Sequence, residues 1–519
     1  MGNQCTSGEN DAYSKDMEAK EEFIKGLRPS LSQDHNKFND DDIIDVSMKC
    51  DTTYGRKSLS QNYMKQANYV LQENIEMKLY YSGLPVQGTQ AILLSIQTKD
   101  QALTIRQGID LICLIDHSGS MQGEKIKLVK NSLKHLLKLL QSQDRLCLIE
   151  FDDQNYRLTR LMRVTQENMY KFEIAIDTIE ANGENDIANA VKMALSVLKH
   201  RRCKNPVASI FLLSDGEEDG ASERVRHLLQ EKNLKEPFTI NTFGFGKDCC
   251  PKIMSEIAHF KEGQFYYISE ISKIDECFVE ALGGQASVIS YNSHITIKSK
   301  KNSITKVYGD KWYHHQQDFT YQIYQPQLIL GVRKDYIIET AIPNDRMDEI
   351  ITVNMQTDSV ETSERFSIEQ SINVIPNLKA NQIFFEEVMS HYYRVQAAEM
   401  FRNALNLCYN QQYQQAEQSI ISLRQQIQKM NFNNPLINLL NQDLQCALKY
   451  CDSMYFNQEG RHYLTQFYMI HMYQQPRGIE IVSTDPKVQV TCVYQNEFQR
   501  QQVLELRQMK LNNPAQYQD

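Results

Sequence analysis

Residues 109–121 have the sequence IDLICLIDHSGSM, a mostly apolar run that ends abruptly in an acid and two serines. An apolar run of this length is typical of a strand that is buried on both faces of a sheet. Similar runs recur over the next hundred or so residues and alternate with segments of helical periodicity. That alternation indicates βαβ units, and it predicts an α/β domain with a mainly parallel sheet flanked by helices.

The elements of this domain follow from the apolar spacing. The predicted strands are Ile109–Ile115, Arg145–Phe151, Ser209–Leu213 and Thr239–Gly244. The predicted helices are Lys125–Leu140, Met169–Ile179 and Ile187–Leu198, whose apolar residues recur at helical spacing. Residues Tyr156–Val164 are predicted to form an antiparallel edge strand.

Polar residues follow two of these strands where each strand ends. Asp116, Ser118 and Ser120 follow the first, and Asp215 follows Ser209–Leu213. Ligands of open α/β sheets bind outside the carboxyl ends of the strands, so both groups are expected on one rim. A carboxylate and two hydroxyls are hard oxygen ligands suited to Mg²⁺, and Asp215 is placed to hold one of the waters that Mg²⁺ retains.

These residues resemble the metal-ion-dependent adhesion site of the von Willebrand factor A (vWA) family, which has the form D-x-S-x-S, then a Thr, then an Asp. Asp116, Ser118 and Ser120 match the first part, and Asp215 matches the last. The stretches 242–248 and 263–268 also look like intracellular members of the family from plants and protists. The resemblance covers about a third of the chain and implies a vWA (Rossmann-like) domain at residues 108–285.

One position departs from the family's pattern. Where the family has Gly-Gly-Thr, this chain has Gly183-Glu184-Asn185-Asp186, so Asn185 stands at the Thr position. An amide oxygen can still coordinate Mg²⁺, and Asp186 is an alternative ligand. Glu184 and Asp186 also make the rim more anionic, which favours Ca²⁺ or Mn²⁺ as alternatives. The expected metal ligands are Asp116, Ser118, Ser120, Asn185 and Asp215.

The resemblance implies binding and not catalysis. In the family, the protein ligands leave one coordination position open, and an Asp or Glu carboxylate of a protein partner completes the shell. A bound cation here offsets the electrostatic cost of bringing such a carboxylate to an acidic rim. The expected function is therefore divalent-cation-dependent capture of a protein partner.

Two alternatives stay open. One is a structural scaffold subunit that binds through its helical tail and has a non-functional metal site. The other, which the sequence favours least, is a Mg²⁺-dependent hydrolase with Glu217 as the general base. The chain has no phosphate-binding loop and no nucleophile elbow, so no catalytic residue is expected. His117 is predicted to be a solvent-facing loop residue.

The rest of the chain divides by pattern into further parts. Residues 1–65 are polar and are expected to be a disordered tether. Residues 66–107 and 286–375 alternate apolar and polar side chains, which predicts strands that pair into one β-sandwich-like module. Residues 376–477 have helical spacing and are expected to form a small bundle. Residues 478–519 are predicted to hold short strands and a terminal helix.

The strands expected outside the α/β domain are Ile75–Tyr81, Ala91–Thr98, Ser293–Lys298, Phe319–Tyr324, Gln327–Leu330, Tyr336–Ala341, Glu349–Met355, Ile479–Val482 and Val488–Tyr494.

The amino terminus carries a candidate lipid anchor. Its first six residues, MGNQCT, match the pattern for myristoylation of Gly2, and palmitoylation of Cys5 can supply the second signal that stable anchoring needs. Acylation predicts a peripheral position on the inner face of a membrane.

Composition excludes several other classes. No apolar run is long enough to span a membrane, and no secretory signal is present, so a cytoplasmic protein is expected. The net charge of −9 and the pI near 5.8 argue against a nucleic-acid partner. The short basic cluster of Arg201, Arg202 and Lys204 is predicted to be a solvated helix end.

Overall fold

The computed structural model describes residues 74–86, 88–99, 106–153, 155–216, 218–269, 273–300, 302–341, 349–374, 382–476 and 494–512. The strands are β1 Ile75–Val86, β2 Thr89–Thr98, β3 Ile109–Asp116, β4 Arg145–Phe151, β5 Asn155–Arg157, β6 Met162–Arg163, β7 Val207–Ser214, β8 Thr239–Phe245, β9 Phe265–Ile268, β10 Val288–Ser299, β11 Ile304–Val307, β12 Tyr313–His315, β13 Thr320–Ile329, β14 Arg333–Ala341, β15 Glu349–Ser359 and β16 Arg365–Val374.

The helices are α1 Glu124–Leu139, α2 Gln166–Asp177, α3 Ile187–Lys199, α4 Ala221–Lys232, α5 Pro251–Phe260, α6 Ile274–Ala286, α7 Gln382–Tyr409, α8 Tyr413–Met430, α9 Pro435–Tyr450, α10 Arg461–Tyr473 and α11 Glu497–Asn512. Short helical turns lie at Gly119–Met121, Ser453–Tyr455 and Phe456–Gly460.

The α/β domain is built on a seven-stranded sheet with the order β5-β4-β3-β7-β8-β9, in which β6 also pairs with β4. The pairs from β4 to β9 are parallel, and β5 and β6 run antiparallel to β4. Side chains of β3 alternate between two cores, because Cys113 and Ile115 pack with α1, α2 and α6, whereas Ile112 and Leu114 pack with α3, α4 and α5. The mainly parallel sheet flanked by helices that the sequence predicts is confirmed.

The edge of this sheet differs in detail from the prediction. Instead of one strand at Tyr156–Val164, two short strands, β5 and β6, pair with β4. Leu158 and Leu161 lie between them and are buried in the cores on opposite faces of the sheet. The segment is interrupted because it fills both cores instead of following an edge.

Two antiparallel sheets pack face to face beside the α/β domain. One has the order β1-β2-β14-β11 and the other β12-β13-β10-β15-β16, and they share one apolar core. β2, which precedes the α/β domain, pairs along its length with β14, which follows it. The predicted pairing of segments from both sides of the domain is therefore confirmed.

Some strand predictions for this module need correction. The segments Phe319–Tyr324 and Gln327–Leu330 were expected as separate strands, but one strand, β13, covers Thr320–Ile329. β11, β12 and β16 were not expected. β16 is an edge strand in which polar residues outnumber its half-buried Phe366, Ile368 and Ile372, so its alternation is weak in the sequence.

Helices α7 to α10 form the predicted bundle and cover the second face of the β1-β2-β14-β11 sheet. Leu93 and Ile337 of that sheet pack with Val388 and Phe401 of α7 in one core. α11 packs on α6 through Val503 and Leu506. The predicted strand Ile479–Val482 and most of Val488–Tyr494 lie outside the described residues, as do Gly2, Cys5 and Glu217.

The basic cluster after α3 is not the solvated helix end that the sequence predicts. Arg201 is buried, and its Nη1 donates to Asp110 Oδ2 at 2.6 Å. The other two members of the cluster, Arg202 and Lys204, are exposed as predicted, and Lys204 pairs with Glu236. Periodicity cannot show that a buried acid at the start of β3 needs this cation.

None of the helices in the described parts of the chain is both long and apolar enough to cross a membrane.

Candidate metal-binding site

Asp116 and Asp215 lie together at the carboxyl ends of two adjacent strands. β3 and β7 are parallel, and Ile115 pairs with Leu213 in their register, so Asp116 ends β3 beside the segment that carries Asp215. Both aspartates are fully buried. The fold therefore brings both aspartates to one rim of the sheet, as the strand order predicts.

The Asp116 carboxylate is held by three donors. Its Oδ1 accepts from the backbone N–H of Ser118 at 2.9 Å. Its Oδ2 accepts from Ser214 Oγ at 2.5 Å and from Asn185 Nδ2 at 2.9 Å. These bonds connect the ends of β3 and β7 with the loop that carries Asn185, and they fix the orientation of the carboxylate.

Ser214 was not among the residues expected from the sequence. It is the last residue of β7, it is fully buried, and its hydroxyl also accepts from the backbone N–H of Gly216 at 2.9 Å. The one signal in the sequence is its position directly before Asp215, at the end of an apolar strand.

The two serines of the first loop present their hydroxyls to each other. Ser118 Oγ and Ser120 Oγ are 3.1 Å apart; Ser118 is buried and Ser120 is exposed. The intervening Gly119 donates its N–H to the carbonyl of Gly183 at 3.0 Å. This bond joins the serine loop to the loop that carries Asn185.

Asp215 and Asn185 have buried oxygens that accept no hydrogen bond from the described residues. This holds for both carboxylate oxygens of Asp215 and for Asn185 Oδ1. Among the described residues, Lys125 places a cation near Asp215, with its Nζ 3.8 Å from Oδ2. Unpartnered buried oxygens are costly, so this arrangement fits a hard cation that the oxygens would coordinate.

The two aspartates also act on each other. Burial, and then the charge of Asp215, raise the pKa of Asp116 to about 6. A divalent cation between the two carboxylates would oppose both effects, because its charge stabilises their ionised forms and offsets their mutual repulsion.

In the described part of the chain, no group of three or more His, Cys, Asp or Glu side chains is arranged to hold a metal. A metal at this rim therefore depends on hydroxyl and amide oxygens as well as the two carboxylates.

Residues 111–218 match the family model described as "von Willebrand factor type A domain". The chain contains a vWA domain. An uncharacterized protein of Synechocystis sp. is 27% identical over 218 residues, 42% of this chain and 51% of that protein. The E3 ubiquitin-protein ligase WAV3 of Arabidopsis thaliana is 27% identical over 194 residues, 37% of this chain and 25% of the ligase.

A solved von Willebrand factor type A protein from Catenulispora acidiphila has a similar fold, with a TM-score of 0.58 at 12% identity. The match covers 77% of this chain and 96% of that one. The likeness of fold thus includes more than the vWA domain alone. The chain spans about half the length of the Synechocystis protein and about a quarter of the Arabidopsis ligase. The similarity to these two relatives therefore does not extend to the rest of their sequences.

His117, which the sequence places in solvent, is buried in the vWA domain. Its Nδ1 lies 2.9 Å from the carbonyl oxygen of Glu180, and its Nε2 lies 3.5 Å from Asp152 Oδ2. The prediction was wrong because the loop folds back against residues 180–182. His117 therefore holds the loop after β3 in place through its contacts with Glu180 and Asp152.

Asp186, the alternative ligand to Asn185, lies directly before α3. Its Oδ1 accepts from the N–H of Asn189 at 3.0 Å and so caps α3. Next to Asn185 an open groove of about 710 Å³ runs between α3 and α4. Its lining includes the acids Glu184 and Glu218, so the rim outside the candidate site is polar and wide enough to admit a partner's side chain.

Proposed function

We propose that the vWA domain binds a protein partner through a divalent cation. Asp116, Ser118, Ser120, Asn185 and Asp215 hold the cation, Mg²⁺ with Ca²⁺ or Mn²⁺ as alternatives, and an Asp or Glu carboxylate of the partner completes its shell. The observation that carries the proposal is the pair of unpartnered, buried Asp215 oxygens beside the Asn185 amide oxygen. Asn185 also lines the open groove between α3 and α4, which is wide enough to take a partner's side chain.

Catalysis has less support. A hydrolytic site needs a general base near the metal. Glu217 lies outside the described residues, and Nδ1 of His117 is engaged by a backbone carbonyl. The similarity to a protein named as a ubiquitin ligase covers 25% of that protein. We therefore propose a binding protein and not an enzyme.

The metal step is tested first, with MgCl₂ alone. Isothermal titration of the full chain is expected to show uptake that is lost in Asp116→Ala and in Asp116→Asn, because both remove the anionic oxygen. Asp219→Ala is the matched control, since Asp219 is exposed on the loop that follows Asp215. Circular dichroism checks that the variants are folded. Unchanged Mg²⁺ uptake in both Asp116 variants would contradict the proposal.

The partner step is a pull-down from native lysate with Mg²⁺ or with chelator. Partners that depend on the cation should disappear both with chelator and in Asp116→Ala, and should remain in Asp219→Ala. A partner list that neither treatment changes would transfer support to the scaffold hypothesis, in which the helical tail binds.

A further inference from the structure

Lys125 lies beside the candidate metal site, although it is not among the expected ligands. It is the second residue of α1, and its Nζ is 3.8 Å from Asp215 Oδ2. The Lys125 side chain is 21% exposed and that of Asp215 is 1% exposed. This distance is too long for a hydrogen bond but short enough for a strong interaction between charges. Lys125 therefore compensates the charge of Asp215 without occupying its oxygens.

The helix does not explain this position of a cation. The N-terminus of a helix carries a partial positive charge, so a lysine in the first turn is unfavourable unless another group attracts it. The stem of Lys125 lies against the loop after β8, where a Cβ on Gly246 would be 3.8 Å from Lys125 Cε. The side chain thus runs past this loop toward Asp215, and the carboxylate is the attraction that offsets the helix dipole.

Asp215 needs such a counter-ion when no metal is bound. It is buried next to a second carboxylate, Asp116, and none of its oxygens accepts a hydrogen bond from the part of the chain that the structure describes. A divalent cation at the same carboxylate and the ammonium of Lys125 repel each other. The cation must therefore either displace the ammonium or bind against its repulsion.

We propose that Lys125 is an internal counter-ion that competes with the divalent cation for Asp215 and lowers the affinity of the site. This inference rests on the proposed function, because it concerns the same cation. Lys125 holds the empty site in a compensated state. Its partly exposed ammonium can move into solvent when the cation arrives.

The test is the Mg²⁺ and Mn²⁺ affinity of Lys125→Met, measured by calorimetry on the full chain. Methionine keeps an unbranched stem against Gly246 and removes the charge. We expect binding of both ions to tighten about tenfold, as for the loss of one partly screened like charge. Lys125→Arg keeps the charge and should bind close to wild type. Lys127→Met is the matched control, because Lys127 is exposed on the same helix and should leave affinity unchanged.

Thermal unfolding in chelator gives a second readout. Lys125→Met should melt below wild type without metal, since Asp215 loses its counter-ion, and should gain more from added Mg²⁺. If wild type binds the ion and Lys125→Met binds it equally or more weakly, the inference is overturned and the proposed function stands. If wild type takes up neither ion, the proposed function fails and the inference fails with it.

Discussion

Asp110, at the start of β3, is as buried as Asp215, yet its surroundings are the opposite. Arg145 donates to both of its oxygens, at 2.7 and 2.6 Å, and Arg201 adds a third bond at 2.6 Å. Asp215 accepts no hydrogen bond from any described residue. Because β3 and β7 are parallel, Asp110 and Asp215 lie at opposite ends of the sheet. A carboxylate whose oxygens are fully hydrogen-bonded stabilises the fold, whereas one without hydrogen bonds has oxygens available for a ligand.

The ion-pair cluster around Asp110 predicts that substitutions of two cations three residues apart will differ greatly in their effect on stability. Arg201→Met should destabilise the chain by about 3–5 kcal/mol, because it leaves part of a buried charge uncompensated. Lys204→Met should change the free energy of unfolding by less than about 1 kcal/mol, since its pair with Glu236 is exposed. Urea denaturation of both variants measures this. Equal losses would show that burial at Arg201 does not matter.

At the scale of elements, the sequence predicted what depends on strand order. Asp116 and Asp215 each follow an apolar strand, and parallel strands bring their carboxyl ends to one rim. The contacts of Ser214 and Lys125 and the burial of His117 were not predicted, because they depend on how loops pack and not on periodicity. β16 was missed for a related reason, since an edge strand with one polar face lacks a strong apolar pattern.

The loop before α3 is the element that positions Asn185, and Gly183 controls its path. Gly183 has φ +80°, and a Cβ there would lie 2.7 Å from Asp152 Oδ2 and 2.9 Å from Asp152 Cβ. Gly183→Ala should therefore cost roughly 2–4 kcal/mol, from left-handed strain plus overlap. Mg²⁺ uptake should weaken as well, because the carbonyl of Gly183 anchors the serine loop.

Gly220→Ala is the matched control for this loop. Gly220 has φ +74°, but its Cβ would meet only Arg224 Nη1 at an ordinary 3.7 Å. It should lose about 1–2 kcal/mol from strain alone and keep its Mg²⁺ affinity. Denaturation and calorimetry on both variants separate strain from crowding. A Gly183→Ala variant with unchanged Mg²⁺ affinity would show that this loop does not shape the site.

At the scale of the whole molecule, the helical tail is part of one structure with the other two modules. Arg394 of α7 is buried, and its Nη2 donates to the carbonyl of Asp335 in β14 at 2.7 Å. His462 of α10 lies against the vWA domain, where its Nε2 is 2.7 Å from the carbonyl oxygen of Cys249 and its ring stacks on Tyr267. Deleting the tail would uncover these surfaces, so point substitutions are the better test of its role.

His462 makes the contact between tail and vWA domain sensitive to acid. Burial lowers the pKa of His462 to about 4, from an ordinary value near 6.5, although its hydrogen bond to Cys249 and the charge of Asp248 partly oppose the shift. Between these values the unfolded chain binds a proton that the folded chain does not. The contribution of neutral, buried His462 to the free energy of unfolding is therefore complete above about pH 6.5. It is lost as the pH falls toward 4, by up to roughly 3 kcal/mol.

Substitution at His462 isolates this contribution from the other groups that titrate in acid. His462→Gln keeps an amide N–H that can donate to Cys249 but cannot take up a proton. Urea denaturation at pH 7 and pH 4.5 should therefore show that the stability advantage of wild type over His462→Gln shrinks by roughly 2–3 kcal/mol. His227→Gln, on the exposed side of α4, should track wild type at both pH values. An advantage that stays constant with pH would mean that His462 takes up no extra proton on unfolding, and that the contact between tail and vWA domain is not sensitive to acid.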